Sequence, residues 1–381
     1  MKTFQSRALL AGILGFSGWV LVGCGGDTIS GSCPDSPATI TPPGSLASII
    51  DPLMASKMKA EGLVGASVAV AKNGTILYTR GYGYADLHAC APVLPETVFQ
   101  IGSVTKQFSA AAVLQLYHAG KLNIDDPVAS YLPRYAFDRR ITLRMLLNQT
   151  SGLRDYLQFG YAPTWLNGVS ERTVLTEIAR TDLLFTPGSY HAYSNSNYFV
   201  LGSIIEAVTA ETYAEYMTRH IFQPLGLNHT TYSRPADAAS PYERGPKHGI
   251  VPDPSLYFAA GALWSNVEDL AKWDVALVEG KVIPPSLFAV MTMPSGVSVY
   301  PSGGASLYAM GLVMGTEAGH PWAWHNGGTL AYTAFNGILL DNGLSVIVLT
   351  NVRIWHGTVL LDLGEQLVQG ICKSAATAGN C

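Results

Sequence analysis

Two spacings of apolar residues divide the chain into elements. From Leu46 to Glu61 they recur every three or four positions, at Ile49, Ile50, Leu53, Met54 and Met58, which predicts an amphipathic helix. Ser67 to Ala71 reads as a strand, Asn73-Gly74 as a hairpin turn and Thr75 to Tyr84 as the return strand. Helical spacing resumes from Gln107 to His118, with Phe108, Ala111, Val113, Leu114 and Leu116 apolar, and stops near Gly120. Leu122 to Pro127 reads as a loop. Helices are predicted over Ile141 to Gln149, 170 to 184, Tyr198 to Thr209, Thr212 to Ile221 and Val267 to Val278, with a proline-rich loop over 232 to 255. Strands return at Leu307 to Met314, Pro321 to His325, Ala331 to Leu340 and Leu344 to Thr350, the last two joined by an Asn342-Gly343 turn. A helix over Thr358 to Cys372 closes the pattern, and residues 373–381 form a tail.

Strands thus lie towards both ends of the chain and helices in the middle. The simplest assembly is an α+β fold. One antiparallel sheet draws on residues of about 46–102 and 256–372 and is covered by the terminal helices. A mostly helical region, about 103–255, is inserted, and the site lies between the two.

The first residues follow another logic. Lys2 and Arg7 precede an apolar run from Ala8 to Val22, too short to span a bilayer comfortably, which ends in Leu21-Val22-Gly23-Cys24. Residues 1–23 therefore read as a signal peptide, and 24–45, rich in Gly, Ser, Pro and Thr, as a flexible tether to a domain over 46–372. Leu-Val-Gly-Cys resembles a bacterial lipobox. That resemblance implies lipidation of Cys24, a membrane partner through the anchor, and an exported lipoprotein of the cell envelope. Cys33, Cys90, Cys372 and Cys381 remain, and four cysteines allow three pairings. With 381 residues, 13% of them charged, and a net charge of −4, the chain has no basic tract to suggest nucleic acid. No Cys/His cluster has zinc spacing, and no metal or cofactor is called for.

Candidate chemistry concentrates in three stretches. Ser103-Val-Thr-Lys106 lies where a strand-like segment meets a helix, which puts a hydroxyl and an amine on one helix face over the positive end of its dipole. Ser-x-x-Lys also occurs at Ser56 to Lys59, inside an amphipathic helix with no turn before it, and there it reads as a solvated face. The second stretch is Tyr193-Ser194-Asn195. In an extended segment the phenol and the amide face one cleft, and a lysine nearby would ease the phenol's loss of its proton. By itself, this stretch is better explained as a buried tyrosine with its hydroxyl satisfied, followed by a cap for the next helix. The third is His325-Asn-Gly327-Gly328 at a strand end. His325 and Gly327 face one side, while Trp322 and Trp324 face the other, where they serve the core.

In this order and setting the three stretches resemble the serine β-lactamase and penicillin-binding protein superfamily, in its class C-like branch with D,D-peptidases and β-lactamase-fold esterases. The resemblance spans about 46 to 372 and includes Phe185-Thr-Pro-Gly188, Pro224-Leu-Gly-Leu227 and Gly261-Ala-Leu-Trp-Ser265. It implies a β-lactamase/transpeptidase-like fold. It implies that Ser103 is acylated and that Lys106 and Tyr193 share base and proton-relay work. Asn195, His325 and Gly327 would bind substrate, and the backbone amides of Ser103 and Gly328 would form the oxyanion hole. The expected activity is a serine hydrolase acting on a small ester or a D-amino-acid peptide, of esterase or D,D-carboxypeptidase type, with possible β-lactam hydrolysis.

One departure counts against an efficient β-lactamase. The third motif carries His325 where lysine is usual, so a substrate carboxylate meets no fixed positive charge there; Arg353 is the substitute to consider. The α/β-hydrolase elbow Gly-x-Ser-x-Gly, His-Glu-x-x-His and a P-loop are all missing from the sequence. The competing reading is a non-catalytic, penicillin-recognising binding or sensor module of the envelope. Loops over 155–168 and 232–260 are expected to select the substrate.

Overall fold

A computed structural model describes Cys33, residues 46–160, 162–304, 306–354, 358–374 and Cys381. The signal peptide, Cys24 and most of the tether lie outside the described residues. No helix among the described residues is long and apolar enough to cross a membrane.

Seven strands form the main sheet: β1 (Gly65–Lys72), β2 (Thr75–Asp86), β3 (Ala91–Pro92), β6 (Val313–Glu317), β7 (His320–Gly328), β8 (Thr333–Leu339) and β9 (Leu344–Thr350). Their order is β3-β2-β1-β9-β8-β7-β6, and every neighbouring pair is antiparallel. The first and last parts of the chain meet where Ala66 pairs with Thr350 and Lys72 with Leu344. Two further short strands, β4 (Phe99–Gln100) and β5 (Trp264–Ser265), pair with each other beside the site.

Both faces of the sheet are covered, which is why β9 is buried at every position and mostly apolar rather than alternating. Val68, Val70, Trp322, Trp324, Phe335, Val346 and Val348 pack towards α1 (Ala47–Glu61) and the closing helix Val359–Lys373. Ala69, Ala71, Ala323, Ala334, Ile347 and Leu349 face the other way, into the larger core. That core is filled by α2 (Thr105–His118), α3 (Leu143–Leu147), α4 (Glu171–Arg180), α5 (Asn195–Thr209), α6 (Tyr213–Met217), α7 (Val267–Val278) and α8 (Pro285–Met291), with the closing helix, α9, behind the sheet. Phe108 of α2 stacks on Trp273 of α7 with centroids 3.8 Å apart. Truncating a ring packed in this way typically costs about 3–5 kcal/mol.

Several boundaries differ from expectation for local reasons. The helix over Ile141 to Gln149 shrinks to Leu143–Leu147, capped by the Thr142 side chain, and Gln149 takes a left-handed conformation (φ 64°). The helix expected over 170 to 184 ends at Arg180, with Thr181 extended. The strand expected over Leu307 to Met314 begins only at Val313. Ahead of it Ala309 donates to the Leu312 carbonyl in a tight turn through Gly311 (φ 75°). Pro285–Met291 was not anticipated as a helix; Pro285 stands in its first turn, where the missing N–H costs nothing. The cysteines pair Cys33–Cys90 and Cys372–Cys381.

Candidate active site

The turn that carries Ser103 is built from backbone in close contact. Ile101 donates to the Leu263 carbonyl at 2.9 Å, Gly102 turns the chain (φ 52°), and a 3-10 turn over Gly102–Val104 runs into α2. The end of β7 lies against this turn. A Cβ on Gly327 would sit 1.9 Å from the Ile101 carbonyl oxygen, and one on Gly102 2.7 Å from the Gly328 nitrogen. No side chain fits at either position. The backbone nitrogens of Ser103 and Gly328 are thereby brought to the same small space.

Ser103 Oγ accepts two hydrogen bonds, from Lys106 Nζ at 3.0 Å and from the Tyr193 hydroxyl at 2.9 Å. Lys106 also donates to Asn195 Oδ1 at 2.8 Å and to the Ala260 carbonyl at 2.6 Å. Three acceptors match the three N–H bonds of an ammonium. The ammonium lies 5.0 Å from the Tyr193 ring centroid and 5.6 Å from that of Tyr198. Lys106 is buried, and burial lowers its pKa to about 7 against the opposing pull of Asp155. Near neutral pH the amine therefore exchanges between an ammonium and a free base. Loss of one proton leaves a lone pair beside the serine hydroxyl.

Tyr193 behaves differently from the sequence expectation. Burial raises its pKa well above 10 and outweighs the lowering effect of its hydrogen bond to Ser103, so the phenol keeps its proton near neutrality. Asn195 is not part of an extended segment. It is the first residue of α5, preceded by Ser194 in extended conformation, and that change of direction still turns the phenol and the amide to the same side. Asn195 Nδ2 donates to Asp155 Oδ2 at 2.9 Å, so both ends of the amide are engaged. Asp155 was missed in the sequence. It follows the Thr-Ser-Gly-Leu stretch, accepts from the Leu157 nitrogen at 3.1 Å, and burial raises its pKa. The Thr-Ser-Gly-Leu-Arg-Asp run was the available signal.

His325 is completely buried. Its Nδ1 lies 2.6 Å from the Asn326 carbonyl, which can only accept, so Nδ1 carries the proton and Nε2 accepts from the Tyr308 hydroxyl at 3.2 Å. Burial and the Lys106 charge push its pKa down to about 3. Its ring supports Tyr193, 6.1 Å away between centroids, and carries no charge at neutral pH. Trp322 and Trp324 are buried on the opposite face against Phe335, as the strand alternation implied. Arg353 lies beside Tyr257 and Glu243, and burial lowers its pKa.

The residue after Lys106 serves a separate purpose. Gln107 Oε1 accepts from Trp273 Nε1 at 3.0 Å and from Asn336 Nδ2 at 3.4 Å. Asn336 also donates to Asp274, whose pKa burial raises to about 8. This network ties α2 to α7 and β8 behind the site, and Asn336 pairs with His325 in the sheet register.

A seven-stranded antiparallel sheet, an inserted helical region and a serine hydrogen-bonded to lysine and tyrosine at their junction have the architecture of the β-lactamase and penicillin-binding protein fold. Residues 46–368 match the family model described as Beta-lactamase, and the chain belongs to that family. It is 30% identical over 304 residues to PbpX of Bacillus subtilis (strain 168), which bears the name of a penicillin-binding protein, covering 78% of this chain and 72% of that one. It is 29% identical to Protein flp of Staphylococcus aureus (strain MW2), covering 86% of this chain and 65% of the relative, so the chain spans about two thirds of that protein's length. A D-stereospecific amidohydrolase from Streptomyces sp. shares the fold with a TM-score of 0.71 at 26% identity, covering 87% of this chain and 98% of that one. Membership of this superfamily supports a reaction of the serine-hydrolase type.

Proposed function

We propose that the protein hydrolyses a small carboxylic ester or a D-amino-acid amide or peptide through an acyl-enzyme on Ser103. The observation that carries this reading is the position of Ser103 Oγ between Lys106 Nζ and the Tyr193 hydroxyl, with the lysine pKa near 7. Neutral Lys106 takes the serine proton as Oγ bonds to the acyl carbon. The backbone N–H groups of Ser103 and Gly328 stabilise the oxyanion. Tyr193, still protonated, passes a proton to the leaving atom and is refilled from Lys106. Water then enters by the same route, and Ser103 is restored. Asn195 and Asp155 hold the lysine in place. Gly327 lets the substrate approach the backbone, and His325 supports the wall through Tyr193.

The neutral state of His325 favours substrates without a free carboxylate over D-alanyl-D-alanine peptides and β-lactams. The test is turnover of p-nitrophenyl butyrate, a D-amino-acid amide, a D-Ala-D-Ala peptide and nitrocefin by the purified protein and by Ser103→Ala. Ser103-dependent turnover of the ester or the amide supports the reading. Turnover of none by a folded protein overturns it in favour of a binding module.

We also propose that Cys24 is lipidated and anchors the domain in the bacterial envelope. The two disulfides favour an oxidising compartment. Cys24→Ala should move the protein from the membrane to the soluble fraction, and an unchanged distribution would remove the anchor.

A further inference from the structure

Cys33 is bonded to Cys90, which stands in the turn between β2 and β3. The ladder of strand pairs shows which end of the sheet this is. Gly328 pairs with Thr333, Thr333 with Thr350, Thr350 with Ala66 and Ala66 with Tyr82. Two residues further along β2, Tyr84 pairs with Pro92. The row runs from the backbone beside Ser103 to the strand that follows Cys90, across five strand spacings of about 24 Å in all. The disulfide and the site therefore share one end of the sheet.

The helix that opens the domain starts at the other end. α1 feeds β1 through Gly62, Leu63 and Val64, so its last turn lies at the site-bearing end. Its side chains mark the direction. The Met58 methyl lies against Gly83, and Asp51, two turns earlier, accepts from Tyr78 and Arg80 further up β2. Fifteen residues of helix put the first turn about 22 Å from the last. The sequence sets a different length of chain between Cys24 and each end. Nine residue steps separate Cys24 from Cys33, at most about 30 Å, whereas twenty-two separate it from Leu46, at most about 75 Å.

We propose that the Cys33–Cys90 bond straps the site-bearing end of the sheet to the bilayer that holds Cys24, so that the partner of this end is a lipid surface. The proposal rests on the lipid anchor proposed above and not on the acyl-enzyme reading. With the bond in place, the chain from the anchor is first fastened to the domain at Cys90, and the shorter length limits how far that end can stand from the membrane. Without it, the same anchor is fastened at the start of α1, at the opposite end, on more than twice the length of chain. The bond thus decides both the height of the domain and which end is held low.

The experiment uses the full-length lipidated protein in vesicles of phosphatidylethanolamine and phosphatidylglycerol that carry an acceptor lipid. A donor dye is attached through a non-canonical amino acid either at Ala89, exposed beside Cys90, or at Thr75, exposed at the far end of β2. Energy transfer to the bilayer is expected to be stronger from Ala89 than from Thr75. The paired change Cys33→Ser with Cys90→Ser is expected to remove that difference. If the paired variant does not fold by circular dichroism, a long Gly-Ser insert between Cys24 and Cys33, which keeps the bond, is expected to weaken transfer from Ala89. Equal transfer from the two positions in the unaltered protein overturns the strap and leaves the anchor standing. So does a difference that survives the paired change, or transfer from Ala89 that the insert leaves unchanged. A protein that does not stay on the vesicles overturns the anchor and the strap with it.

Discussion

The chain contains the same four-residue pattern twice, and the two copies have different fates. Ser56 and Lys59 lie towards the C-terminal end of α1, both exposed, with Lys59 in its last turn. Ser103 and Lys106 span a 3-10 turn and the first turn of α2, where Lys106 is buried and bonded to three acceptors. Sequence spacing supplies the same relation between hydroxyl and amine in both places. What differs is solvent. Water keeps an exposed ammonium charged, whereas loss of that water on burial brings Lys106 to about 7. On the proposed reading, this pattern becomes reactive only where the fold removes the lysine from water and brings a backbone cradle opposite the serine.

Four changes would break or sharpen that contrast. The largest effect is expected from Ser103→Ala, which should lower ester or amide turnover by about four to six orders of magnitude. Ser56→Ala should leave it within about twofold, because surface changes of this kind alter little. Steady-state rates on one substrate decide this, and equal effects at both positions would dissolve the distinction. Next, Lys106→Met should cost about three to four orders of magnitude in kcat/KM, while Lys59→Met should not register. The wild-type acid limb should lie near pH 7, with activity falling as pH drops and Lys106 takes up its proton. An acid limb that stays near neutrality in residual Lys106→Met activity would assign it to another group.

Tyr193→Phe should cost about two to four orders of magnitude if the phenol transfers protons. Because burial raises its pKa, no loss of activity from phenol ionisation should appear below pH 10. A pH–rate profile extended into the alkaline range tests this. The smallest effect is expected from Asp155→Asn. Its carboxylate favours the charged form of Lys106, so its removal should move the acid limb to lower pH. A limb that stays put, or moves up, would limit Asp155 to holding Asn195.

Much of this arrangement was readable from residue order. Hairpin turns at Asn73-Gly74 and Asn342-Gly343, the β9 strand and the α7 helix follow directly from local pattern. So did the alternation on β7 that separates His325 from the two tryptophans. Part of what escaped was set by contacts distant in sequence. Asp155 meets Asn195 forty positions away, and the Thr-Ser-Gly-Leu-Arg-Asp run marks its position without naming that partner. The direction of the Tyr193 shift depends on how deeply the ring is buried, whereas proximity to a lysine suggested the opposite sign. The run from Leu307 has the apolar content of a strand but is bent by the turn at Gly311. The cysteine partners, open among three pairings, close one loop near each end of the chain, Cys33–Cys90 and Cys372–Cys381.

The place of β1 in the sheet has a temporal consequence. It pairs with β2 on one side and with β9 on the other, and β9 ends at Thr350. A chain emerging from its N-terminus therefore completes its first hairpin early, then waits through most of its length with one edge of that hairpin unsatisfied. Such an edge is an adhesive template until the final strand arrives. Closure of the sheet is deferred to the last part of synthesis, and with it the docking of β7 against the Ser103 turn that completes the site.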